Sequence, residues 1–551
     1  MTQKNVIKMF QDHFNIISLL IIVSLGTFFR LYNLSSKSLW FDEIGQVLVA
    51  SKSTINELLI EILFHLSPPL DYIILHFVLY IGKNDFIIRL PAAIFGILSI
   101  ILIYWVSKTL FSEKEGLICA LLLSTSPMAV WYSQEARMYS LFMFLSLLSL
   151  FFFIKALQQN KIIWWFGFII STVLALYTHY FSFFILLNEV VFFAILIIKK
   201  RYFKEEGEIS KNIKKTTGWY FFSSLIIILE SFYFCLDLLF SQTDGLKKDL
   251  WYGLSANISF FKSIFSALSI YSLDVKSSLG ISDITGSIII TGIYILFLIL
   301  FIFGIIEFYE KDIDQTILLF LWVLLPVVVS FVVSYYRDEP ITTTRNMIFI
   351  LPAFLMLISK GLINISEWID NIIETLNHNN INENNSTNYR LIICLALLII
   401  VLIVNVVAIG HGYTIQKQDM KGISGFLSAN IRSGDVIVTF RDTTDHLGYY
   451  YTGYDVDRIV LPEKIPDAEF IYYVKSNYKK VWLISSPYMG VNSEILNWLN
   501  SNYTLERGSY SSNPRMLGAI YSVDGEYAMN NYSLNESDVM DMGRMSRFTR
   551  I

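Results

Sequence analysis

The sequence predicts a polytopic α-helical membrane protein carrying a small α/β domain near its C-terminal end. Three observations predict it. Apolar runs of about 20 residues, long enough to cross a bilayer, recur up to about residue 411. Of 551 residues, 54% are hydrophobic and 16% charged, whereas an average soluble domain has about 25% charged residues. From about Gln418 the composition becomes that of a soluble domain, and helix and strand patterns alternate. The net charge of -4 says little, because topology depends on where Lys and Arg lie; no nucleic-acid partner is expected.

Eleven spans are expected: Ile16–Tyr32, Phe86–Val106, Gly116–Tyr132, Met138–Leu157, Ile163–Tyr180, Phe181–Ile198, Trp219–Phe240, Ile288–Phe308, Thr316–Tyr335, Met347–Gly361 and Leu391–Ile409. Orientation follows from the basic loops. The stretch Lys199–Lys215 carries seven Lys and Arg and is expected on the cytoplasmic side. An odd number of spans then puts the N-terminus inside and the C-terminus outside, in a multi-pass cell-membrane protein. The run Asn377–Asn388 reads as a disordered cytoplasmic linker. The expected domains are 1–411 in the membrane, 412–524 as the outer α/β domain, and a disordered polar tail at 525–551.

The first outer loop, 34–85, is long. Helical periodicity marks Ile55–Phe64 and Leu70–Leu79 as interfacial helices, and Pro68-Pro69 breaks the chain between them. In the outer domain, helices are expected at Ile423–Ile431, Ala468–Ser476 and Glu494–Asn500, and strands at Val436–Phe440, Val481–Ser485 and Leu517–Val523, with a turn at Gly434-Asp435. Cys119, Cys235 and Cys394 all fall in apolar runs and read as core residues.

Charged residues gather at the outer ends of the spans, and few are left for their middles. A transporter would place them near the bilayer midplane. In Leu39-Trp40-Phe41-Asp42-Glu43 two aromatics precede two carboxylates, which reads either as a site with an anchored, partly desolvated base beside a lipid headgroup or as an interfacial loop that happens to be acidic. Arg137 and Arg345 each stand at the outer end of a span and suit a lipid phosphate, because a guanidinium presents a planar fork to it. Each could equally snorkel to water. Glu135 could make a structural ion pair or contact substrate. His65 and His179 could bind a phosphate or a sugar hydroxyl, or be plain hydrogen-bonders. Tyr139 could assist the phosphate, and Tyr180, like Trp40, Trp131 and Tyr132, could be a belt aromatic or pack on substrate. Arg89 reads as a snorkelling residue at the start of the second span.

Several motifs resemble one family in order and spacing. They are Trp40-Phe41-Asp42-Glu43, Ser67-Pro68-Pro69-Leu70, Arg89-Leu90-Pro91-Ala92, Ser126-Pro127 running to Tyr132-Ser133-Gln134-Glu135-Ala136-Arg137-Met138-Tyr139, and Tyr177-Thr178-His179-Tyr180-Phe181. The family is the glycosyltransferase family 39-like group, related to dolichyl-phosphate-mannose protein mannosyltransferases and bacterial aminoarabinose transferases, with the GT-C fold. The resemblance covers roughly residues 15–200 and, more loosely, Arg345–Pro352. It implies a donor sugar on a polyprenyl monophosphate and a protein, lipid or glycan acceptor. It also implies Asp42 as base with Glu43 beside it; the reading of the residues themselves adds Arg137 and Arg345 as donor-phosphate contacts, with His65 and Tyr139 as weaker candidates. Many relatives carry a basic residue just before the two prolines, where this chain has Ser67, with His65 two positions earlier. Oligosaccharyltransferases share the broad fold and use a metal with a WWDYG motif. Neither that motif nor a DxD in the outer loops between spans is present, so no metal and no cofactor is expected.

Overall fold

The computed structural model describes residues 3–65, 68–203, 213–241, 283–306, 313–337, 344–376, 383–415, 418–440, 444–461, 477–478, 480–485, 504–507, 517–522, 532–533 and 549–550. The chain forms two compact units, one of Met1–Leu34 with Val49–Thr414 and one of Ser35–Leu48 with Ile415–Ile551.

The first unit is helical. Its leading helices are α1 (Gln3–Leu31), α2 (Phe41–Ala50, which begins in the second unit), α3 (Ile55–His65), α4 (Leu70–Val78), α5 (Asp85–Leu110), α6 (Glu113–Ser124), α7 (Pro127–Ser133), α8 (Tyr139–Gln159), α9 (Ile162–Leu176), α10 (Phe183–Ile198) and α11 (Ile213–Ser241). Four more follow over Asp283–Ile305, Ile313–Arg337, Leu351–Leu376 and Glu383–Thr414. Among the described residues seven helices are long and apolar enough to cross a membrane, or eight if a bent pair forms one span. The protein is therefore a multi-pass membrane protein. Every expected span meets a helix, and α3 and α4 form at the two helical stretches expected between the first and second spans.

Several expectations are corrected. The third span is not one helix: α6 and α7 meet at a 57° bend. Ser126 accepts a hydrogen bond from the Ala129 amide and caps α7, and Pro127 opens the new helix, where its missing N–H costs nothing. The fifth expected span holds α9, only 15 residues long, or about 22 Å against a hydrocarbon core of about 30 Å. Arg89 does not snorkel. It is buried and donates to the Leu34 carbonyl at 2.9 Å. Within the linker expected to be disordered, residues from Glu383 onward already belong to the helix that ends at Thr414. Extending an existing apolar helix by a few polar residues needs no new nucleus.

The core of this unit is apolar side chains from α5, α6, α8, α9, α10 and Leu351–Leu376. The helices Asp283–Ile305 and Leu351–Leu376 meet backbone to backbone. A Cβ on Gly304 would overlap the Leu357 carbonyl, and one on Gly361 would overlap the Leu300 carbonyl. Small residues allow this approach where packing, not water, drives helix association.

The second unit holds a five-stranded sheet in the order β2-β1-β3-β5-β4, built from β1 (Val436–Phe440), β2 (Asp457–Leu461), β3 (Lys480–Ser485), β4 (Thr504–Arg507) and β5 (Leu517–Ser522). β1 pairs in parallel with β2 and β3, and β5 runs antiparallel to β3 and β4. Val436, Ile437 and Val438 are consecutive and all buried, as in a central strand covered on both faces. Gly434 takes φ 94 in the turn before β1, a conformation open to glycine. Strands β2 and β4 were not expected. The helices expected at Ala468–Ser476 and Glu494–Asn500 lie outside the described residues. In the tail, Tyr532–Ser533 and Thr549–Arg550 pair antiparallel where no regular structure was expected.

The division of the chain also differs from the expected one. Residues 35–48 cluster with the C-terminal unit, not with the membrane helices. The helix entering that unit continues to Thr414, past the expected boundary at 411.

Candidate functional site

The first unit brings four of the expected residues together. Tyr139 is the first residue of α8, and Arg137 lies two residues before it in a turn closed by the Arg137 amide donating to the Glu135 carbonyl at 2.8 Å. Gln134 holds this turn in place. Its amide nitrogen donates to the carbonyls of Phe29, Arg30 and Tyr32 at 3.3, 3.2 and 2.7 Å. Those carbonyls belong to the last turn of α1 and its exit, where helical partners have run out.

Arg345 comes from the 3-10 helix Thr344–Ile350. Its guanidinium stands 6.0 Å from the centre of the Tyr139 ring, within cation–π range. The Tyr139 ring in turn lies 4.9 Å from Tyr132 and 6.1 Å from His179.

His179 caps the short helix that leads into α10. Its Nδ1 accepts the Phe181 amide at 3.1 Å, which places any ring proton on Nε2. The ring stacks on Phe142 at 4.7 Å and 11°. Burial first, and then the positive charges of Arg137 and Arg345, push its pKa down to about 3, against the opposing effect of a hydrogen bond with Asn346. His179 is therefore a neutral donor at any physiological pH. The loop around it is tied to the double-proline loop, since the Leu70 amide donates to the Tyr177 carbonyl at 2.9 Å.

Two permanent cations, a phenol and a neutral imidazole N–H make a cluster of donors. Such a set suits an anion, above all one whose charge grows during a reaction. Glu135 is buried nearby in sequence and Tyr180 is half-buried at the start of the next helix. His65 closes α3, and its side chain lies outside the described residues.

Asp42 and Glu43 belong to the second unit. They are not in a loop but in the first turn of α2, where carboxylates are favoured by the helix dipole. Glu43 is fully buried, and its Oε2 accepts the Trp40 amide at 3.2 Å. Trp40 stands at the cap position and Glu43 three residues on, which is one half of a capping box. Glu43 therefore holds the backbone, while Asp42 stays half-buried.

Two residues escaped the sequence reading. Arg30 is fully buried at the end of α1 and donates to the carbonyls of Gly26, Leu123 and Ser124 at 3.0 to 3.1 Å. The last two are carbonyls released where α6 ends at the bend. The signal was present as an arginine inside an apolar run. Glu189 is fully buried in the middle of the Tyr180–Tyr202 span and accepts from Ser149 at 3.2 Å, and Ser149 also bonds Thr172 at 2.7 Å. Among the described residues no group of three or more His, Cys, Asp or Glu could hold a metal ion.

Residues 67–210 match the family model of dolichyl-phosphate-mannose-protein mannosyltransferases. That range includes Glu135, Arg137, Tyr139, His179 and Tyr180. No curated protein matches the chain by sequence. Among solved structures, the archaeal oligosaccharyltransferase AglB from Archaeoglobus fulgidus, in complex with an inhibitory peptide and a dolichol-phosphate, has a TM-score of 0.52 and 10% identity, covering 95% of this chain and 75% of its own. The A. fulgidus oligosaccharyltransferase tethered with an acceptor peptide has a TM-score of 0.53 and 10% identity, covering 94% and 74%. ArnT from Cupriavidus metallidurans in the apo state has a TM-score of 0.52 and 11% identity, covering 91% and 97%. At these identities the likeness is one of fold, and the chain has the GT-C fold.

Proposed function

We propose that this GT-C chain is a membrane glycosyltransferase that moves a sugar from a polyprenyl monophosphate to an extracytoplasmic acceptor hydroxyl, inverting the anomeric centre. The observation that carries the reading is the gathering of Arg137, Arg345, Tyr139 and neutral His179 into one cluster of donors. The family match over 67–210 supports it. So does the dolichol-phosphate carried by the structurally similar oligosaccharyltransferase.

In this reading the cluster holds the donor phosphate. The acceptor hydroxyl attacks the anomeric carbon while the bond from that carbon to the phosphate oxygen breaks on the opposite face. The phosphate leaves with more negative charge than it had, and Arg137 and Arg345 stabilise that charge. Asp42 takes the acceptor proton as the new bond forms, a contribution of about 10²–10⁴-fold. Glu43 serves by holding the turn that carries Asp42. The membrane lipid face supplies the donor, and the N-terminus lies in the cytoplasm with the chemistry outside. Hexosyl and pentosyl donors both fit this scheme, as do protein, lipid and glycan acceptors.

The test incubates purified protein with labelled polyprenyl-monophosphate hexoses and pentoses in vesicles. A transferase releases polyprenyl phosphate. Movement of the intact lipid to the other leaflet would mark a flippase instead, and binding with neither outcome would mark a non-catalytic binder.

A further inference from the structure

The C-terminal unit grips the turn that carries Asp42. The Leu39 amide donates to the Tyr450 hydroxyl at 3.1 Å, and the Phe41 amide donates to Gln418 Oε1 at 3.1 Å. The Lys421 amide donates to the Ser38 hydroxyl oxygen at 3.0 Å. The imidazole of His446 lies flat on the Phe41 ring, with centroids 3.8 Å apart and planes 9° apart. Gly45, one helical turn further along α2, makes room for it, since a Cβ there would come within 3.1 Å of His446 Nε2.

These grips come from separate pieces of the unit. Gln418 precedes the helix Met420–Asn430, Lys421 lies in it, and His446 lies in the short helix Thr444–Gly448. The two helices are themselves joined, as the Ser424 hydroxyl donates to the Leu447 carbonyl at 3.1 Å. Phe41 and Leu39 flank Trp40, whose amide is the one that Glu43 accepts. The main chain on both sides of Trp40, up to the residue before Asp42, is thus fixed by side chains from the far end of the sequence.

We propose that the C-terminal unit is the positioning element for Asp42, with His446, Gln418 and Tyr450 as positioning residues. His446 acts by stacking, and the other two act by accepting backbone amides. The inference rests on the reading of Asp42 as the proton acceptor. A carboxylate on an unclamped turn samples many directions, and small misplacements of a reacting group cost rate steeply.

The experiment uses the full chain in detergent micelles with two readouts. Hydrogen exchange at the Leu39 and Phe41 amides reads the grip directly, without any substrate. Transfer from the panel of polyprenyl-monophosphate hexoses and pentoses reads its consequence. For His446→Ala, exchange at these amides is expected to rise ~10-fold. Its kcat is expected to fall about 10- to 100-fold with KM for the donor unchanged. His446→Phe, which keeps a flat ring over Phe41, restores both. Tyr450→Phe removes one acceptor only and is the milder second variant, with faster exchange at Leu39 alone.

Unchanged exchange in both His446→Ala and Tyr450→Phe overturns the inference. So does faster exchange with undiminished turnover. Equal damage in His446→Ala and His446→Phe also overturns it, because stacking would then not be what His446 supplies. If the wild-type chain transfers nothing from any donor, the reading of Asp42 falls and takes the catalytic half of the inference with it. The exchange result still decides whether the turn is gripped.

Discussion

Two turns carry the residues assigned to chemistry, and they are held in opposite ways. The Leu39–Glu43 turn is held by partners 411 and 377 residues away in sequence, through single hydrogen bonds and one ring stack. The Gln134–Tyr139 turn is held within the helical unit, by one glutamine on three carbonyls and by the helix it opens. The first kind of hold depends on a distant domain being folded. The second depends on helices that would form wherever the apolar runs meet a bilayer. The proposed proton acceptor and the proposed anion cluster should therefore fail separately when either hold is cut.

The largest expected effect breaks the chemistry and spares both holds. Asp42→Asn should lower transfer by about 10²–10⁴-fold, with the thermal midpoint and donor binding unchanged. Wild-type turnover by that variant would remove Asp42 from its role. Next, Arg137→Ala and Arg345→Ala should each weaken binding of polyprenyl phosphate by about 1.5–3 kcal/mol, the range for a charged hydrogen bond. Unchanged affinity in a titration of either variant would take that arginine out of the cluster.

Gln134→Leu sharpens the comparison. It leaves three carbonyls without this donor and should destabilise the helical unit by about 1–3 kcal/mol. Exchange at Leu39 and Phe41 should not change, and a rise there would show that the two turns are not held independently. The smallest effect is on pH. The folded pKa of His179 is about 3, below the ordinary 6.5. Between those values the unfolded chain binds a proton that the folded chain does not. Stability is therefore full above about pH 6.5 and falls as the pH drops toward 3. Thermal midpoints measured across that window should fall more steeply for the wild type than for His179→Gln.

Much of the helical unit was legible in the sequence because apolar runs and helical periodicity are local signals. The helices at Ile55–His65 and Leu70–Val78 follow from periodicity in short windows. The break at Ser126-Pro127 was written there too, as a cap residue followed by proline. The helix Phe41–Ala50 was harder to see, since its cap position is a tryptophan and Gly45 weakens the pattern. Of the candidate site, Arg137, Tyr139, His179 and Arg345 were legible as polar residues at outer span ends, and the structure gathers them. The assignment of 35–48 to the C-terminal unit was not legible, because no periodicity links Phe41 to His446. The role of Arg30 is not legible in the sequence, because one arginine in an apolar run says nothing about the carbonyls it will meet.

The reach of Glu43 back to the Trp40 amide makes the acidic doublet unequal. Aspartate in that third position is one methylene shorter, so exchanging the order of the two acids would lose the backbone contact as well as move the other carboxylate. If Asp42 is the proton acceptor proposed above, its neighbour Glu43 is committed to the backbone and does not share that task.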